Sequence, residues 1–142
     1  MSIVVTYEEY CELGYSIIKI DEYDAYERKS RLMLESFAGC NLGALIAKIE
    51  KSRDNGEALS ETEAELIKKV KIAICNAADA AYELHLSYSK ALCGIKSESN
   101  DGASVTFVDE NPFEIKKQEK RIMCQEIRSV LGSTGLLYRG VR

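Results

Sequence analysis

The chain is 142 residues long, 46% hydrophobic and 30% charged, with a formal net charge of −4 at pH 7. That length supports one domain with a real core, and that composition excludes disorder over most of it. The acidic balance argues against tight binding of duplex phosphates by counterion release, and no uncharged run approaches the roughly 18 to 20 apolar residues of a membrane span.

In chain order, the opening "MSIVVTYEEY" lacks a basic region ahead of an apolar one, so it does not read as a secretory signal. Thr6 and Glu9 form a capping box for a short helix from Tyr7 to about Leu13, stopped by Gly14. Asp21 is the expected cap of the next helix, whose face carries Tyr23, Tyr26, Ser30, Met33 and Phe37 and which closes at Gly39. Leu42, Leu45, Ile46 and Ile49 mark a shorter helix that ends at Asp54-Asn55-Gly56. Ser60 and Glu63 form a second capping box, opening the longest helix, expected over Glu61 to Leu92 and roughly 48 Å long. Its apolar face includes Val70, Ala73, Ile74, Ala77, Ala78, Ala81 and His85, and the alanines permit close approach of another helix. Asn111-Pro112 starts a last helix to about Leu131, with Ile122, Met123, Ile127, Val130 and Leu131 as its stripe. Its polar first half, "IKKQEKR", is expected to project.

The predicted fold is therefore all-α, a small helical bundle around one long central helix and a single domain over 1–142. An arm over 95–108, able to close into a short hairpin, and an extended C-terminal tail over 132–142 complete it.

Residues with chemical potential have structural explanations. His85, the single histidine, falls on an apolar face and reads as a hydrogen-bonded core imidazole, without the grouped His or Cys that zinc needs. Five cysteines, Cys11, Cys40, Cys75, Cys93 and Cys124, are scattered and contain no Cys-x-x-Cys pair, as expected of reduced thiols in a cytosolic protein. Carboxylate clusters fall in first helical turns, where the macrodipole accounts for them. The glycines of "GSTGLLYRG" lack the lysine and following helix of a phosphate loop. Lys116, Lys117, Lys120 and Arg121, interleaved with Glu114, Gln118 and Glu119, read as a solvated face. No catalytic residue, cofactor site or metal site is predicted.

The arm and the tail are left over. The arm carries Val105, Phe107 and Val108 in an alternating run, and the tail carries Leu136, Leu137, Tyr138 and Val141 among glycines. Both either fold back over the bundle or bind another chain, by strand addition or by apolar anchors in a groove.

The "TYEEY" opening helix, the tyrosine-rich helix ending "ESFAG", the long helix from Ser60, "IKSESNDGASVTF" and the terminal "STGLLYRGV", in this order, resemble the head–tail connector (adaptor) proteins of tailed phages and prophages, the HK97-type connector family. The resemblance implies a non-enzymatic virion protein of the neck, assembled in the host cytoplasm as a ring of identical subunits, typically a dodecamer. It would sit beneath the portal protein, extend the DNA channel without gripping the DNA, and prepare the platform for a stopper or tail-completion protein. By position, Leu136, Leu137, Tyr138, Arg139 and Val141 would bind the portal, and Ser97, Ser99, Val105, Phe107 and Val108 the neighbouring subunit. The segment from Cys40 to Leu59 departs from the family, being longer and more helical than a short spacer. The alternatives from other classes are a small helical DNA-binding or regulatory protein of prophage origin, which calls for a basic recognition helix, and a helical-bundle enzyme, which calls for convergent ligands such as Glu-x-x-His.

Overall fold

The computed structural model describes residues 3–56, 58, 60–97, 112–132, 134 and 136, with the side chains of Cys40, 89–97 and 112–114 left out. Four helices lie among the described residues: α1 (Tyr7–Glu12), α2 (Ile20–Asp54), α3 (Glu61–Ser97) and α4 (Pro112–Leu131). The fold is all-α around one long helix.

Local signals set most of the boundaries. The Thr6–Glu9 capping box opens α1, and Gly14 at φ 99° ends its turn. Ser60 accepts from the Glu63 amide at 3.2 Å, satisfying one of the unpaired donors at the start of α3. Two boundaries differ from expectation. The N-cap of α2 is Lys19, without a side-chain cap bond, and Asp21 lies in the first turn, where its charge faces the positive end of the dipole. The other is the end of α3, which continues through Gly94 to Ser97, five residues beyond Leu92. A glycine inside a helix costs only about 1 kcal/mol, so Gly94 alone does not stop it. Residues 95–97, read from the sequence as the start of the arm, have helical backbone.

The chain bends within α2 at Gly39, whose φ of 45° and ψ of −119° exclude side chains with a Cβ. The segments Ile20–Gly39 and Asn41–Asp54 meet at 103°. The second segment turns Leu42 and Leu45 into the core.

Named pairs give the register. α4 lies antiparallel along α3, with His85 against Glu119 and Tyr88 donating to Gln118 at 3.1 Å. The first segment of α2 runs parallel to α4, with Lys29 on Glu119, the Cys124 thiol 3.9 Å from the Met33 sulfur, and Arg128 stacked over the Phe37 ring. Val70, Ala73, Ile74, Ala77, Ala78 and Ala81 of α3 are all buried, as are Met123, Ile127 and Leu131 of α4. Each of these larger apolar side chains contributes on the order of 2 kcal/mol by leaving water.

The polar first half of α4 does not project freely. Glu119 is only 8% exposed, and its carboxylate joins His85 of α3 to Lys29 of α2 at 3.0 Å. His85 is correspondingly not a core imidazole: its side chain is 40% exposed and forms one arm of this polar clip, with the Tyr26 ring edge-on at 5.6 Å.

The N-terminal segment is held by side chains four residues apart on α2. Tyr23 donates to the Val5 carbonyl at 2.7 Å, and Glu27 accepts the Val5 amide at 3.2 Å while pairing with Arg31. Val5 thus completes both backbone hydrogen bonds without a strand partner. Tyr7, Tyr10, Tyr15 and Tyr23 form a contiguous ring cluster at centroid separations of 4.8–5.7 Å. Burial pushes the Tyr10 and Tyr23 hydroxyls far above their ordinary range, keeping them protonated donors.

Two buried hydroxyls on α2 should therefore behave oppositely. Tyr23→Phe orphans the Val5 carbonyl and is expected to lower unfolding free energy by about 1–2 kcal/mol in a denaturant titration. Ser30 is fully buried with no hydrogen-bond partner among the described residues, so Ser30→Ala should leave stability unchanged or raise it.

Candidate functional site

The described root of the C-terminal tail is built into the subunit. The Gly132 amide donates to the Arg128 carbonyl at 2.8 Å, closing α4, and the Thr134 hydroxyl donates to the Leu131 carbonyl at 2.7 Å. A Cβ on Gly132 would meet the Arg128 carbonyl oxygen at 2.6 Å, so this turn accepts only glycine without a backbone shift. The Leu136 amide then donates to the Thr134 hydroxyl, and the Leu136 carbonyl accepts from Asn41 Nδ2 at 2.9 Å. Leu136 is 5% exposed and belongs to the core. For this residue the fold-back reading holds, and the sequence-based expectation of an outward portal anchor does not. Leu137, Tyr138, Arg139 and Val141 lie outside the described residues.

The tail root therefore sits where α2 bends. Asn41 is the second residue past Gly39, so the backbone just beyond the α2 bend fixes where the tail leaves the bundle. In the arm, Ser97 is the last residue of α3, while Ser99, Val105, Phe107 and Val108 lie outside the described residues. Because α4 is 20 residues long, the start of α4 after the arm and the start of the tail are about 30 Å apart, at opposite ends of the bundle.

Titratable groups cluster along α3. Tyr10 donates to Asp79 at 2.5 Å and Tyr15 to Asn76 at 2.6 Å. Lys71 pairs with Glu9, and its hydrogen bond holds the Glu9 carboxyl below the usual range. Asp79 is different: desolvation pushes its pKa up, opposed by the Tyr10 bond and assisted by Glu83. Asn76, Asp79, Ala80, Glu83 and Glu126 border an open depression of about 280 Å³. Among the described residues, no group of three or more His, Cys, Asp or Glu is arranged to hold a metal ion. Burial pushes the Cys75 thiol up to about 12, so it is protonated at neutral pH and a poor nucleophile.

Sequence reasoning missed Glu119 and Asp79. Glu119 falls four residues after Ile115 and four before Met123, on the buried stripe of α4. A carboxylate at an apolar-stripe position was the available signal. Asp79 sits beside Ala77, Ala78 and Ala81 in the same way.

No family model, curated protein or solved structure matches this chain.

Asp79 gives a pH prediction. A folded pKa raised above the unfolded one means that stability is fully present below the unfolded carboxyl range and declines as pH rises toward the folded value. Asp79→Asn keeps an oxygen for Tyr10 and removes that decline. Thermal melts should find the variant more stable than the parent at pH 7, with the difference shrinking toward pH 3.

Proposed function

We propose that this chain is a head–tail connector subunit of a tailed phage or prophage. It would form a ring beneath the portal, extend the DNA channel and present a platform for the stopper or tail-completion protein. The observation that carries the reading is the separation of the roots of its two leftover segments: α4 starts after the arm at Pro112 and ends before the tail at Leu131, about 30 Å away. A subunit that must join identical neighbours and also a second protein above them needs two contact segments that do not compete for one surface. The ordered succession of sequence motifs supports the same reading.

The tail's roles divide at Leu136. Leu136 fixes the tail's origin, and the residues beyond it, Leu137, Tyr138, Arg139 and Val141, supply the apolar, aromatic and arginine anchors that dominate interface energies. The acidic balance of the chain suits a channel through which DNA slides. A small helical DNA-binding protein is the second reading, favoured by the exposed Lys116, Lys117, Lys120 and Arg121 on α4.

Deleting residues 137–142 should leave the helical content and melting temperature near the parent values, because Leu136 and its bond to Asn41 remain. It should abolish co-sedimentation with the portal protein of the phage or prophage that carries this chain. Retained portal binding by the truncated chain would remove the tail from this role, and tight salt-dependent duplex binding by the parent would favour the second reading.

A further inference from the structure

Charge is segregated along this chain. Residues 115–132 hold five cations and two carboxylates, and residues 3–24 hold six carboxylates and one lysine. Neither carboxylate of α4 lies on its outer face. Glu119 is buried in the clip with Lys29 and His85, and Glu126 borders the depression beside Asn76, the partner of Tyr15. With 3.6 residues per turn, Lys117 and Arg121 lie about 180° and about 140° around α4 from Glu126. The exposed face that they share with Lys120 therefore presents cations and no carboxylate. The Glu8 and Glu12 side chains of α1 have the opposite character: Glu9 turns inward to Lys71, whereas Glu8 and Glu12 are exposed, each about 160° around the helix from the buried Tyr10. Lys120, Arg121, Glu8 and Glu12 have no ion-pair partner among the described residues. Within one copy the two faces do not meet, because α1 lies against α3 through Asp79 and Lys71, on the side that Glu126 borders, and the cationic face of α4 points away from it.

We propose that the cationic face of α4, centred on Lys117 and Arg121, receives the Glu8 and Glu12 face of α1 from a second copy of this chain. The inference rests on the ring reading and names two helix faces, separate from the arm, through which neighbours meet. One helical turn separates Lys117 from Arg121, as it separates Glu8 from Glu12, so two helices laid side by side set opposite charges at the same spacing of about 6 Å. A contact between unlike faces of identical copies leaves each copy with one face for the neighbour on either side, and it builds a ring where the rotation closes. Duplex DNA is the other polyanion such a face could take. A second copy is favoured because carboxylates of matching spacing stand exposed on the same chain, whose net charge of −4 opposes gathering phosphates. The pairing is exposed to solvent, so it selects and orients the neighbour and weakens with salt.

Charge reversal on either side tests it. Lys117→Glu/Arg121→Glu reverses the α4 face, with Lys120→Glu/Arg121→Glu as a second version, and Glu8→Lys/Glu12→Lys reverses the α1 face. Glu8→Gln/Glu12→Gln removes the same charge without placing lysine in the first turn of α1. Variants that keep the parental melting temperature are compared by sedimentation velocity from micromolar to millimolar concentration at low salt. The parent should self-associate, and reversal of either face should weaken association about tenfold or more. An equimolar mixture of the two reversed chains should recover it, because an alternating assembly pairs every reversed α4 with a reversed α1 and every parental α4 with a parental α1. A parent that stays monomeric throughout overturns the proposal, as do variants that associate like the parent or a mixture that does not recover. Loss on reversing α4 with none on reversing α1 gives the face to another occupant, and duplex DNA bound by the parent but not by the α4 variant identifies that occupant as nucleic acid. Particles whose necks contain this chain and incorporate Glu8→Lys/Glu12→Lys normally would remove this contact while leaving the ring reading intact.

Discussion

Close approach along the alanine-rich face of α3 is the constraint from which the remaining structure follows. Ala73, Ala77, Ala78 and Ala81 are all essentially inaccessible to solvent and let neighbouring backbones lie near the helix axis. A face that shallow offers little side-chain relief to fix register. Polar pairs supply it instead: Lys71 with Glu9, Asn76 with Tyr15, Asp79 with Tyr10, His85 with Glu119 and Tyr88 with Gln118. Spread along the helix, they assign each stretch of α3 to one partner, and a slip of a single turn would leave several of them unpaired.

The functional reading grows from the same geometry. The antiparallel α4, 20 residues long, carries the chain from the end of α3 back to the root of the tail. The bend at Gly39 brings Asn41 to the tail root, so the position from which residues 137–142 depart is set by the α2 backbone. The Glu119 clip lies toward the opposite end and joins α2, α3 and α4. The tail therefore starts from a place with defined packing, which limits the entropy lost when it engages a partner.

What the sequence made legible was local. The Thr6 and Ser60 caps, the turns at Gly14 and Gly56 and the stripe of α3 depend on residues three or four apart, and they gave the helices and the all-α class. Contacts between distant residues were not legible. Glu119 read as part of a solvated run because its partners, Lys29 and His85, lie 90 and 34 residues away. Leu136 read as an outward anchor because nothing near it in sequence announces Asn41. Asp21 read as a cap because its type favours that position, yet the chain enters α2 two residues earlier. The end of α3 was placed at Leu92, where its apolar face runs out, while helical backbone hydrogen bonding continues through Gly94 to Ser97 and offsets that glycine's modest penalty.

The central claim, that this chain joins head to tail, is tested most directly by electron cryomicroscopy of tailed particles from a host that carries its gene. The account predicts a closed ring of this chain directly beneath the portal, with residues 137–142 of each copy against portal density and residues 98–111 against the adjoining copy. A neck fully accounted for by other chains, with this protein absent from the particles, would contradict it.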